Sequence, residues 1–173
     1  MTDYWELIEP YLETINIYDG PDVFAASIAN VPRPATILYA AHMCSSEVHN
    51  GGFLQLFWNS TGVLVPEAIE GFTAIGTHVL ADITLKASLP LGSPYPRDRK
   101  DRWDSLLTAS ELDSKEWERI YNSQKDRYQA FHEAAKALPF DILQRQFWEQ
   151  AKTENGGFET AADKYAQSLN LGH

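Results

Sequence analysis

Apolar residues return at helical intervals from the start of the chain. Tyr4, Leu7, Ile8, Tyr11, Leu12 and Ile15 fall on one side of a helix, because side chains three and four apart stack on one face. The pattern predicts a first helix capped by Thr2, with Asp3, Glu6, Glu9 and Glu13 opposite the apolar face. Pro10 lies inside it and kinks or restarts the helix there. Tyr18-Asp19-Gly20-Pro21 reads as a turn, and a short helix over 22–29 follows. Val31-Pro32-Arg33-Pro34 breaks the chain, and Pro34 suits the first position of a new helix. That helix turns Ile37, Leu38, Ala41, Cys44 and Val48 inward and stops at Asn50-Gly51-Gly52.

Residues 53–59 form a short helix, nearly all apolar and therefore central. Pro66 opens another, with Ile69, Phe72 and Ile75 on its face, and Gly76 separates it from a run through Val79, Leu80, Ile83 and Ala87. Residues 89–96 (LPLGSPYP) are the clearest loop and a candidate hinge. RDRKDR at 97–102 alternates charge sign, which reads as a solvated helix start. Thr108 and Glu111 have the spacing of a capping box. One long helix is expected over 113–138, with Trp117, Ile120, Tyr121, Tyr128, Phe131 and Ala135 as its stripe. Pro139 ends it; a helix bearing Phe140, Leu143, Phe147 and Trp148 and a last helix over 160–169 follow. Period-two alternation and hairpin signals are absent. The expectation is an all-α fold, a single compact domain of about seven to nine helices over residues 1–173.

Charge sharpens this picture more than size does. Ten acids and two bases lie in residues 1–96, a net −8, whereas the remaining 14 acids and 12 bases leave −2. A nearly unopposed negative field repels nucleic acid and acidic membranes and attracts basic partners. Cys44 is the only cysteine, which excludes a disulfide scaffold and a paired-cysteine zinc site. The acidic start lacks an apolar signal segment, and no apolar run is long enough to cross a membrane. The expected location is cytoplasmic.

Catalytic chemistry finds little support. His42, Glu47 and His49 are the best metal candidates, but residues two and five apart do not share a helix face, unlike the pair in H-E-x-x-H. Gly51-Gly52 lacks the lysine of a phosphate loop, Ser45 and Ser46 lack a nucleophile elbow, and Cys44 belongs to the apolar stripe. No cofactor, no metal and no enzymatic activity are expected. The alternative is a helical enzyme or small-ligand site around Glu47, His49 and Asn50.

The corner at 50–52 has structural chemistry of its own. Asn and Gly accept the left-handed backbone that closes a helix. Glu47 or Asn50 could accept from the free amides of the next helix, and Asn59 could do so at the following break. ENGGFE at 154–159 has the same turn chemistry and reads as a second cap rather than a repeat.

Glu47-x-x-Asn50-Gly51-Gly52-Phe53, followed by Gln55, Phe57, Trp58 and Asn59, then Glu67-Ala68 and Ala74-Ile75-Gly76, resembles the signature of a bacterial family of acidic, all-helical DNA-mimic proteins. The resemblance spans roughly residues 20–155 and makes Glu47, Asn50, Gly51, Gly52, Phe53 and Asn59 the structural motif. It implies a homodimer whose carboxylates imitate duplex phosphates, a helix-turn-helix transcription factor as the basic partner, and no direct contact with nucleic acid. Carboxylates three or four apart on a helix stand about 5–6 Å apart at Cβ, comparable to successive phosphates. Glu6, Glu9 and Glu13 have such spacing, as do Glu67 and Glu70. With Asp3, Asp19 and Asp22 they are the candidate partner-binding residues.

Overall fold

In the computed structural model, which describes residues 3–123 and 127–170, ten α-helices and five short 3₁₀ segments succeed one another, with no strand among the described residues. The all-α reading holds. The α-helices are α1 (Tyr4–Ile8), α2 (Pro21–Ile28), α3 (Arg33–Trp58), α4 (Val65–Ala74), α5 (His78–Ser88), α6 (Arg99–Ala109), α7 (Ser114–Ser123), α8 (Arg127–Ala134), α9 (Phe140–Thr153) and α10 (Phe158–Asn170). Residues 124–126, within the expected long helix, lie outside the described residues, as do Thr2 and the side chain of Tyr121.

The core is built on α3. Leu38, Ala41, Cys44, Val48, Phe53, Leu56 and Phe57 are sealed from solvent along it. Phe147 of α9 meets Phe53 and Phe72 edge-on, with ring centroids 5.7 Å apart in each case. Edge-to-face contact sets the negative face of one ring against the positive rim of another. Cys44 is buried in this packing, which pushes its thiol pKa up and leaves it an inert apolar filler, as expected.

The corner at 50–52 is real. Gly51 (φ −153°, ψ 16°) and Gly52 (φ 77°, ψ −173°) leave helical geometry and divide α3 into two helices. The conformation of Gly52 belongs to a region open essentially to glycine alone. A Cβ there would also strike the side-chain amide of Gln144 on α9. Gly71 is required for closeness instead: a Cβ on it would run into the Ile37 carbonyl oxygen and stand 3.0 Å from the Ala41 Cβ. Its missing side chain lets α4 lie directly on the backbone of α3.

Several caps differ from expectation. Asp3 caps α1, accepting from the Glu6 amide at 3.0 Å. The α-helix stops at Ile8, and Glu9-Pro10-Tyr11 forms a 3₁₀ turn, the restart that Pro10 imposes. Glu13 therefore lies beyond the helix that carries Glu6. Thr108 and Glu111 form no capping box: the Thr108 hydroxyl bonds back to the Asp104 carbonyl. The next helix is capped by Asp113, which accepts from the Glu116 amide at 2.8 Å.

The candidate hinge at 89–96 is pinned, and the solvated reading of 97–102 holds at 98–101, which are exposed at the start of α6, but fails at Arg102. The Tyr95 hydroxyl donates to the Gly62 carbonyl at 2.8 Å. Arg102 is 1% exposed and donates Nε to the Phe57 carbonyl at 3.0 Å, Nη2 to the Asn59 carbonyl at 2.8 Å and Nη1 to the Arg97 carbonyl. Arg99 Nε and Trp103 Nε1 both donate to the Trp58 carbonyl, at 2.7 and 3.1 Å. The last carbonyls of a helix have no partner within it and carry its negative dipole end. Segment 97–103 thus supplies cations and donors to the open end of α3. Among the described residues no carboxylate accepts from Arg102, and burial lowers its pKa.

Candidate functional site

The predicted carboxylates separate into two groups. Asp3, Glu6, Glu9, Glu13, Asp19 and Asp22 are all exposed, on an N-terminal arm without a base before Arg33. Glu67 and Glu70 correct the expectation. Glu67 is 5% exposed and is gripped by Arg97 through two bonds of 2.8 and 2.9 Å. Glu70 is engaged by both Nε and Nη2 of Arg33. A neutralised, buried carboxylate presents no phosphate-like charge, so Glu67 leaves the candidate surface, and Glu70 contributes only in part.

The fold adds two acids that sequence spacing did not single out. Glu159 and Asp163 stand four residues apart on α10, which packs beside α1. Asp163 accepts from the Tyr4 amide at 2.9 Å. Burial first, then Glu159, Asp163 and Asp3, push the Tyr4 hydroxyl up to about 12. Three carboxylates from the two ends of the chain therefore share one neighbourhood. Their i, i+4 spacing on the last helix was the available signal.

The motif residues at the corner do not converge on chemistry. Glu47 accepts from the side-chain amide of Asn59, tying the middle of α3 to its end. It takes no amide of the following helix, and the Asn59 side chain makes no cap; both expectations are corrected. Asn50 is exposed. ENGGFE acts as a cap, but for remote helices. The Glu154 carboxylate accepts from the amides of Val79 and Leu80 at 2.8 and 3.1 Å, opening α5. Asn155 Nδ2 donates to the Ile75 carbonyl at 2.9 Å, closing α4.

His42, Ser45, Ser46 and His49 share one face of α3 and line a cavity of about 460 Å³ against the start of α10. The Tyr4 hydroxyl lies 3.1 Å from His42 Nδ1, and Trp5 stands edge-on to that ring. Burial lowers the His42 pKa, against the pull of Glu159. His49 Nδ1 donates to the Ser45 carbonyl at 2.7 Å. The i, i+3, i+4, i+7 spacing of these four residues is legible in the sequence, although only His42 and His49 among them are metal-ligating types. Among the described residues, no group of three or more His, Cys, Asp and Glu is placed to hold a metal ion.

Fold and charge together define an all-helical domain whose exposed N-terminal arm is acidic. The DMP19-like protein family matches residues 29–170, and the chain belongs to that family. No curated protein and no solved structure matches it. The matched region begins later and ends later than the 20–155 expected, and it leaves the acids from Asp3 to Asp22 on its N-terminal side. Among the described residues no helix is long and apolar enough to cross a membrane.

Proposed function

We propose that the chain is a DNA mimic: it binds a basic DNA-binding protein, of the helix-turn-helix class, and keeps it from its operator. The observation that carries the reading is the gathering of Asp3, Glu159 and Asp163 around Tyr4, continued by the exposed Glu6, Glu9, Glu13, Asp19 and Asp22. Family membership supports it. A groove-reading domain meets phosphate with Lys and Arg, and these carboxylates offer the same charge. The mechanism is occupancy rather than catalysis, and it takes place in the cytoplasm, without cofactor or direct nucleic-acid binding. A homodimer would join two acidic faces into one track.

The test is displacement. The chain is titrated into labelled operator complexes of purified helix-turn-helix repressors from the same organism, at two salt concentrations. Release of the operator that weakens steeply with salt supports mimicry, because charge–charge contacts are screened. The triple charge reversal E6K, E9K, E13K is expected to abolish release while circular dichroism stays helical. No release from any repressor at low salt sinks the reading. Light scattering of the free chain checks the dimer.

A further inference from the structure

The cavity between α3 and α10 carries a feature that packing does not explain. Ser45 is 7% exposed and lines the cavity. Its hydroxyl makes no hydrogen bond among the described residues. Hydroxyls on other helices behave differently: Thr73 on α4, Thr84 on α5, Thr108 on α6 and Thr153 on α9 each bond back to the carbonyl four residues earlier, the usual resort of a helical hydroxyl. Among the described residues no polar side-chain atom is sealed off without a partner. The Ser45 oxygen therefore opens into the cavity. A hydroxyl that forgoes its local partner and opens into a cavity is free to bond with what enters it.

The surrounding groups point to the chemistry of that partner. Ser46 adds a second hydroxyl, and Lys152 brings a cation from α9 to a helix that has none of its own beyond Arg33. The capping position of α10 is Gly157 (φ 92°), which accepts from the Ala161 amide through its carbonyl and has no side chain to cover the first-turn amides. Such amides favour an anion. His49 differs from these donors. A carbonyl only accepts, so Nδ1 carries the proton it gives to Ser45, and in its neutral form such a ring offers a lone pair at Nε2. A phosphate group satisfies both demands at once: its P–O⁻ oxygens accept from the hydroxyls, ammonium and amides, and its P–OH donates to Nε2. A phosphate monoester keeps this hydrogen in its monoanion, below a second pKa of about 6, whereas a sulfate or carboxylate has none even there. The cavity is also larger than one phosphate and falls in the range of small-molecule sites.

We propose that this cavity binds the phosphate group of a small phosphorylated molecule, held by Ser45, Ser46, Lys152 and the α10 amides, with His49 selecting for the P–OH. The site shares Tyr4 and Glu159 with the acidic cluster, but its ligand chemistry does not depend on the mimicry reading. Glu159, in the lining, opposes the ligand.

Inorganic phosphate is the probe. The ¹⁵N-labelled chain is titrated at constant ionic strength with phosphate, and in parallel with sulfate. Saturable shifts confined to residues 45, 46, 49, 152 and 157–160, with phosphate binding tighter than sulfate, are expected. K152Q is expected to weaken binding about ten-fold, as the loss of one charge-assisted bond. S45A weakens it without changing the melting temperature, since the hydroxyl has no partner to lose. E159Q tightens it by removing a like charge. No saturable response, or sulfate binding as well as phosphate, overturns the proposal. Weaker phosphate binding in E159Q overturns it in favour of a ligand with a cationic group.

Discussion

Replacing Arg102 with methionine isolates the contribution of the capped α3 end. Methionine keeps an unbranched, flexible chain of similar length but removes the charge and all three donations. The Asn59 carbonyl also accepts from the Gly62 amide at 3.2 Å, so it stays satisfied. The Phe57 and Arg97 carbonyls each lose the Arg102 donor. Orphaning a buried acceptor costs about 1–3 kcal/mol, so the pair amounts to about 2–6 kcal/mol. Relief from burying a guanidinium without a carboxylate offsets part of this, leaving a net loss of about 3 kcal/mol. For a chain of this size each kcal/mol moves the midpoint by about 2–4 °C, which places R102M roughly 6–12 °C below the wild type. Calorimetry at pH 7 reads this directly. R102K retains the charge but can reach fewer of the carbonyls, and it should fall between the two. If R102M melts within about 2 °C of the wild type, the carbonyl cap is not what holds α6 to α3.

Other perturbations have equally definite outcomes. G52A should cost about 2–3 kcal/mol from backbone strain and the collision with Gln144, and Q144A added to it should restore only the collision part in urea melts. G71A should cost about 1–3 kcal/mol, since the obstacle is the Ile37 backbone and cannot rotate away; an unchanged urea midpoint would refute the close approach. The His42 pKa is lowered in the fold, so its contribution is present above the unfolded value and lost as pH falls from about 6.5; H42Q should flatten the fall in melting temperature on that side. The Tyr4 pKa is raised to about 12, so its contribution is present below about 10 and lost as pH rises toward 12. Y4F should lose less stability than the wild type between pH 9 and 11.5.

Local patterns in the chain carried the helices and the glycine corner, because helix faces and left-handed turns are decided within a few residues. The roles of the charges were not legible in the same way. RDRKDR alternates sign as a solvated helix would, and nothing local indicates that Arg102 ends up inside the protein against a helix end over 40 residues away. Glu67 repeats at the spacing of an exposed stripe, yet its partner Arg97 arrives from a loop 30 residues later. Glu159 and Asp163 acquire significance only because the last helix lies against the first. The cavity is not legible locally for a related reason: its four α3 residues are adjacent in pattern, but its lysine and amides come from α9 and α10.

The bond between the Tyr4 amide and Asp163 spans 159 residues, and Glu154 reaches back 75 to the start of α5. During synthesis these clasps cannot close until α9 and α10 have left the ribosome. A product that stops before α10 would still carry the six arm acids, without the two from α10 and without the clasp to Tyr4. It would carry the charge without its arrangement.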